Sequence, residues 1–540
     1  MPHRRAALTL VASILSSGVL FAQPAVQSSR PSMDRDLMEI DVPRLHALYA
    51  AHRYTVMQVT QWYLDRIARY NPTYKPVVHV DAAGALAAAA REDAGKGRHG
   101  ALWGVPILIK DNTCIAGIVT SDGWGQFNIP GKEFVPTTDA TVVKRFREAG
   151  AILLGHTNMP DFAASDTNFS SAGGRTGNAY NVRYSPGGSS GGTATAVAVN
   201  MAVFGQGTDT ANSVRIPSSA DSLVGMLPTR GLVSIAGIAP LNWLLDNTGP
   251  LARDVTDAAI ALDVMAGEDP QDFRTAGSRK KAQRRPYTAY LKRGALKGKR
   301  FGVPAFILNP AAADQDENPL MAAETRAAFL KALDQMRAAG ATIVLDDRML
   351  SAEFPKMVAA IDTHPYRAEG MLAYLREFGP ALYKTPAQFK AVTGVEIPAM
   401  LLGEGGTNAV PQRTLEGDPA RDATFFAPQQ RALDQYDAAL AQFHLDGFVY
   451  PALQMPPNDE TPKPGAPRSR GPHSATGWVN RIGVPAIVLP GGFYANGIPF
   501  GIEISAARWR DGDLLGYGFA YEQATHNRRI PVLNTDGAPQ

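Results

Sequence analysis

An α/β layer fold is what this 540-residue sequence predicts, and three observations lead there. Short apolar runs of strand length alternate with amphipathic or alanine-rich stretches of helix length. Hydrophobic residues make up 45% and charged residues 19%, an ordinary globular balance that excludes wholesale disorder. Glycines cluster between these runs, where strands hand over to helices. The length fits three or four ordinary domains, and a single large α/β unit is also allowed.

The first residues read as an address rather than as fold. Arg4 and Arg5 precede an apolar run over residues 6–22, and polar, proline-containing sequence follows from Gln23. A basic start with a short apolar core is the pattern of a secretory signal peptide, with cleavage expected after Ala22. The run is 17 residues, at the bottom of the membrane-spanning range, so export with cleavage is preferred to a stable anchor. The mature chain is then expected in the periplasm or outside the cell. Residues 23–40 read as a linker and 41–535 as the main domain.

Within that domain the elements follow in order. Residues 41–71 are helical in pattern. Thr55 and Gln58 have the spacing of a capping box, and Val59, Tyr63 and Ile67 follow at i,i+4 intervals. The alanine-rich stretch 81–93 reads as another helix. Residues 104–110 read as a buried strand ending in Lys110, 141–149 as a helix, and 151–154 as a short strand. Seven of the 22 residues from 171 to 192 are glycine, where the chain average gives about two. A small-residue helix over 193–200, a strand over 201–205 and a polar turn over 207–213 come next. Further on, strands are expected at 301–308 and 341–345, flanking an amphipathic helix at 322–338, and another strand runs into glycines at 487–492. Arg279, Lys280, Lys281, Arg284 and Arg285 form a basic stretch that reads as a solvated surface loop. Six prolines between 455 and 472 mark a loop.

Composition removes several function classes. One cysteine, Cys114, permits no intrachain disulfide and no cysteine-based metal cage. None of the ten histidines forms an H-E-x-x-H pair, so no metal or other cofactor is expected. A net charge of +3 leaves no footprint for nucleic acid as a partner.

Three pieces carry chemistry together: Lys110 closing an apolar strand, the run Gly187-Gly188-Ser189-Ser190-Gly191-Gly192, and Ser213 in the polar turn. Taken singly, a strand-end lysine is a snorkelling surface residue and a glycine-flanked serine pair is a turn. Together they suggest more. Glycines let backbone approach a reacting group closely, and a buried lysine loses its charge and can serve as a base toward a hydroxyl.

Gly104-Val105-Pro106-Ile107-Leu108-Ile109-Lys110-Asp111-Asn112 resembles the lysine motif of the amidase signature family. Ser185-Pro186-Gly187-Gly188-Ser189-Ser190-Gly191-Gly192, then Gly207-Thr208-Asp209 and Ser213-Val214-Arg215-Ile216-Pro217, resemble its Gly/Ser-rich signature. Similarity continues at Leu227-Pro228-Thr229-Arg230-Gly231, Asp246-Asn247-Thr248-Gly249-Pro250 and Gly483-Val484-Pro485-Ala486, so it runs from about residue 40 to 530. The resemblance implies a single large α/β/α fold, with a mixed, twisted central sheet covered by helices on both faces. It implies a Ser–Ser–Lys triad with Ser213 as nucleophile, Ser189 after a cis peptide bond as proton relay, and Lys110 as base. The backbone N–H groups of Thr210, Ala211, Asn212 and Ser213 would form the oxyanion hole. The substrate would be a small-molecule amide, carbamate or ester, cleaved through an acyl-enzyme.

The sequence departs from the family in places. Ala211-Asn212 replaces two glycines before the nucleophile, which matters if position 211 needs φ > 0, and His156 stands where lysine is common. Trp243, Tyr366, Met371 and Tyr374 are candidate pocket residues, the last three inside a helical insertion at 365–405, although helix core is the preferred reading of that stretch. Two rivals exist. Gly188-Ser189-Ser190-Gly191-Gly192 also satisfies G-x-S-x-G, which would make Ser190 the nucleophile of an α/β-hydrolase esterase with a downstream histidine such as His364, His444, His473 or His526. An amidase-like protein that binds without turnover is the other. A glutamine-hydrolysing amidotransferase component is a further family role, one that export argues against.

Overall fold

The computed structural model describes residues 30–95, 100–308, 321–402, 414–415, 422–461 and 471–533. The chain divides into two compact units, Met1–Met38 and Glu39–Gln540. In the first, Arg30–Leu37 is a helix within the stretch read as linker, and the expected leader at 1–22 lies outside the described residues. The second unit holds everything below.

Its strands are β1 (Val77–Val80), β2 (Pro106–Lys110), β3 (Ile152–Thr157), β4 (Phe169–Ser170), β5 (Gly174–Arg175), β6 (Phe204–Asp209), β7 (Val224–Leu227), β8 (Asn247–Ala252), β9 (Arg300–Gly302), β10 (Thr342–Val344), β11 (Gly447–Pro451), β12 (Ala486–Phe493) and β13 (Pro499–Ser505). Eleven of them form one sheet in the order β1-β3-β2-β6-β8-β7-β12-β13-β11-β9-β10, and β4 pairs with β5. The sheet is mixed. β2 runs parallel to β3 and β6, whereas β8 runs antiparallel to β6 and β7.

Helices cover both faces, as the register of β12 against β13 makes explicit. Ile487 pairs with Ile504 and Leu489 with Ile502, while Val488 pairs with Glu503 and Pro490 with Gly501. Side chains alternate along a strand, so 487, 489, 502 and 504 share one face and 488, 501 and 503 the other. The helix Asp511–Thr525 brings Gly518 against Ile487 and Leu489. The helix Arg215–Ala220 brings Ser219 against Gly501 and joins Arg215 to Glu503. The two helices therefore sit on opposite faces.

Local signals set the elements where they are strong. The capping box holds: Thr55 accepts from the Gln58 N–H at 3.1 Å, and Gln58 accepts from the Thr55 N–H at 2.9 Å, opening the helix Val56–Tyr74. The helices Ala82–Ala94, Thr141–Glu148 and Ala323–Ala338 fall where periodicity placed them. Two stretches differ. The strand expected at 301–308 stops at Gly302, because Pro304 cannot donate to the ladder, and Ala305–Leu308 turns into a helix. The strand expected at 201–205 is β6, and it carries Gly207, Thr208 and Asp209 out of the supposed turn. Those polar residues are sheet residues because β8 pairs with them through Asn247, Thr248 and Gly249.

The insertion at 365–405 is helical where described, with helices Arg367–Phe378, Pro386–Thr393 and Ala399–Leu402. The proline-rich loop 455–472 is described only at 455–461 and 471–472, and is irregular there apart from one bridge, Asp459 to Tyr184. The stretch Ser278–Lys281 is one short helical turn with exposed basic side chains. No helix among the described residues is long and apolar enough to cross a membrane.

Candidate active site

Parallel pairing of β2 with β6 fixes the centre of the site. Lys110 is the last residue of β2, fully buried, and its ammonium nitrogen lies 2.7 Å from Ser189 Oγ and 2.8 Å from Thr208 Oγ1 on β6. Thr208 Oγ1 also accepts from Asn112 Nδ2 at 3.0 Å, and Gln206 accepts from the Lys110 N–H at 3.1 Å. Burial disfavours the charged form and lowers the Lys110 pKa to about 7, against the smaller opposing pull of Asp122, Asp209 and Asp246. A substantial neutral fraction at ordinary pH follows.

Ser189 is held by the glycine run. The Gly188–Ser189 peptide bond is cis, as the resemblance implied. A Cβ on Gly188 would collide with the Thr167 carbonyl, so only glycine lets this turn seat against residues 165–167. Ser190 opens the helix Gly191–Ala198, and its hydroxyl is engaged with β6, donating to Thr208 O at 3.1 Å and accepting from Thr208 N at 3.3 Å. Gly207 makes room for it, since a Cβ there would lie 2.8 Å from Ser190 Oγ. No histidine bonds Ser190 among the described residues, so the arrangement required by the esterase reading is not formed.

Ser213 meets this turn directly: the Ser190 N–H donates to Ser213 O at 3.2 Å. The segment 210–213 joins β6 to the helix Arg215–Ala220. Within it Asn212 O takes the Arg215 and Ile216 N–H groups at 3.0 and 2.9 Å. Among the described residues, the N–H groups of Thr210, Ala211, Asn212 and Ser213 carry no hydrogen bond. Neither Ala211 nor Asn212 has positive φ, so replacement of the glycines leaves the turn unstrained at these positions.

A charged network beneath the turn escaped the sequence reading. Arg215 is completely buried and spans Asp209 (3.2 Å), Glu503 (2.7 Å), Thr476 O and Oγ1 (2.9 Å each) and the Ala211 carbonyl. Asp209 also accepts the Val214 N–H at 3.0 Å, and its carbonyl accepts from Asn480 Nδ2 at 2.8 Å. On the other side, Thr210 donates to Asp246 at 2.6 Å, and Asp246 takes the Asn242 N–H at 3.1 Å through each carboxylate oxygen. The Thr-Asp-Thr and Ser-Val-Arg motifs were visible, but their partners Glu503, Thr476 and Asn480 lie more than 260 positions away. No local signal joins them. His156 is a buried spacer between the Val119 and Thr113 carbonyls, at 2.9 and 3.0 Å.

The four pocket candidates separate. Trp243 and Tyr374 line one cavity of about 520 Å³ with Gly237, Glu369 and Phe378. It meets the segment that follows the lysine strand, because Gly237 O accepts from the Cys114 N–H at 2.9 Å and the Tyr374 hydroxyl lies 3.4 Å from Cys114 Sγ. Met371 is buried and does not line it. Tyr366 is completely buried in a hydrophobic cluster with Phe354, Tyr436 and Trp478. Among the described residues no group of three or more His, Cys, Asp or Glu side chains is arranged to hold a metal ion.

With this geometry in place, comparison with known proteins is decisive on family. A family model described as Amidase matches residues 58–515, and the chain belongs to that family. It is 32% identical over 522 residues to a glutamyl-tRNA(Gln) amidotransferase component from Acinetobacter baumannii, covering 92% of this chain and 99% of that protein. The peptide amidase of Stenotrophomonas maltophilia superimposes with a TM-score of 0.71 at 31% identity, over 92% of this chain and 98% of that one. A bacterial aryl acylamidase shares the fold, with a TM-score of 0.72 at 22% identity over 90% and 96% of the two chains. The protein is an amide-hydrolysing enzyme of this family.

Proposed function

We propose that the enzyme hydrolyses small carboxylic amides through an acyl-enzyme on Ser213, with Lys110 as base and Ser189 as relay. The observation that carries this is the 2.7 Å contact of a buried Lys110, its pKa lowered to about 7, with Ser189, in a turn bonded to Ser213. Ser213 Oγ attacks the amide carbonyl while its proton passes to Ser189 Oγ, whose own proton passes to Lys110. The oxyanion that forms is met by the uncommitted N–H groups of 210–213. Collapse expels the amine, which takes its proton back from Lys110 through Ser189. Water then attacks the acyl-enzyme by the same relay and releases the acid.

Ala211 and Asn212 support the same role as the glycines they replace, because the donors are backbone groups and neither residue needs positive φ. Carbamates and esters share the carbonyl and fall within reach of the same chemistry. Mass-spectrometric mapping after fluorophosphonate treatment tests the reading. An adduct on Ser213 is expected. An adduct on Ser190 would point to the esterase, and no adduct under any condition to a protein that binds without turnover.

A further inference from the structure

A second cavity, of about 790 Å³, lies beyond the charged network and plays no part in the chemistry above. Arg230, Arg508, Lys281 and Arg431 line it, together with Leu244 and Phe425, and no carboxylate lines it among the described residues. Arg274 also reaches the wall, but its guanidinium is taken by Asp272 at 2.8 Å through two contacts and by Trp243 O at 2.6 Å. The other cations are not neutralised in this way. Arg230 is only 8% exposed; its Nη2 is held by Asn480, while its Nε is buried with no hydrogen-bond partner among the described residues. Arg508 Nε is buried and unpartnered too. Arg508 and Lys281 are brought together by the Trp509 ring, at 5.5 and 5.6 Å from its centre, rather than by an acid.

Buried guanidinium groups without counter-charge are unfavourable, and a carboxylate satisfies the planar fork of an arginine through paired hydrogen bonds. Burial first, and then the Arg508 and Arg274 charges, pull the Arg230 pKa down to about 9 against the weaker pull of Asp246 and Asp209, neither of which lines the cavity. The carboxylates that act on Arg508 are Asp437 and Asp511, and their pull is outweighed by burial. Neither lines the cavity, and Asp511 is taken by the Thr229 N–H and hydroxyl at 2.8 and 2.7 Å.

We propose that this cavity binds a small organic carboxylate, its head on Arg230 and Arg508 and its apolar part against Leu244 and Phe425. The site is coupled to the oxyanion turn by two short paths. Arg230 holds Asn480, which holds Asp209, and Leu244 stands two residues before Asp246, which holds Thr210. The carboxylate has two possible sources, a free acid or the anionic tail of a longer amide substrate. The proposal does not depend on the acyl-enzyme reading, because none of these cations is hydrogen-bonded to Lys110, Ser189 or Ser213 among the described residues.

Calorimetric titration of the full chain with phenylacetate tests it, using 2-phenylethanol and inorganic phosphate as the uncharged and non-apolar probes. Saturable binding of phenylacetate is expected, with affinity at least about tenfold above either control and at least about tenfold lower in Arg508→Gln. Arg431→Gln serves as a second, milder variant should Arg508→Gln fail to fold. No binding to the wild type, or equal binding to wild type and both variants, overturns the proposal, and phosphate binding as tightly as phenylacetate overturns the apolar half of the site. The source is separated by kcat/KM for amides with and without a terminal carboxylate. Selective loss for the carboxylate-bearing amide in Arg508→Gln marks the substrate tail. Unchanged kcat/KM with weakened phenylacetate binding marks a free acid.

Discussion

The β2–β6 floor that holds Lys110 and the helical wall Arg367–Phe378, which lines the cavity of about 520 Å³, are built by opposite means. At the ends of β2 and β6 buried polar and charged side chains are aimed at partners: Lys110 at Ser189 and Thr208, Ser190 at Thr208, Arg215 at Asp209 and Glu503. In the helix Arg367–Phe378 the buried side chains are apolar or aromatic and stack: Tyr374 on Phe134 at 6.0 Å and on Phe378 at 6.2 Å. Directional bonds between buried polar groups cannot be changed one at a time, because each substitution orphans a partner. Apolar packing tolerates exchange when volume is kept. The floor therefore resists single exchanges, and the wall tolerates them.

Loss of one reacting group should give the largest effect. Ser213→Ala and Lys110→Ala are each expected to lower kcat by about 10⁴-fold or more, with circular dichroism unchanged. Full turnover in Ser213→Ala would remove the floor's claim to the reaction. Next comes the charge network. Arg215→Met leaves Asp209 and Glu503 buried without their cation and is expected to destabilise the fold by about 3–5 kcal/mol in urea unfolding. A change under about 1 kcal/mol would mean that the network is dispensable. The smallest effect belongs to the wall. Tyr374→Phe removes only the hydroxyl near Cys114, costs about 1 kcal/mol or less, and should alter KM between amides of different size without altering kcat for a small one. A large fall in kcat would place Tyr374 in the floor instead.

The same contrast governs what could be read from sequence. Lys110, Ser189 and Ser213 stand in runs whose glycines and small residues exist to admit close backbone approach, so they were legible, as were the capping box at Thr55 and the helix Ala323–Ala338. The strand β6 was placed three residues early, because Gly207, Thr208 and Asp209 look like a turn until β8 pairs with them. Glu503 was invisible as a partner of Arg215, since it sits in a strand whose neighbours are isoleucines. Tyr366 and Tyr374 carry the same local pattern, yet one enters the core and the other lines a cavity. That choice is made through packing, by Phe354 for Tyr366 and by Phe134, more than 200 positions away, for Tyr374.

The central claim is that a buried lysine, neutral near physiological pH, drives Ser213 through Ser189. Burial lowers the Lys110 pKa from its ordinary value to about 7, so the base form accumulates as pH rises through that value. The profile of kcat/KM against pH for a small amide measures this directly. It is expected to rise through about 7 and level off above it. A profile that falls through the neutral range, or stays flat across it, would contradict the assignment of Lys110 as the base.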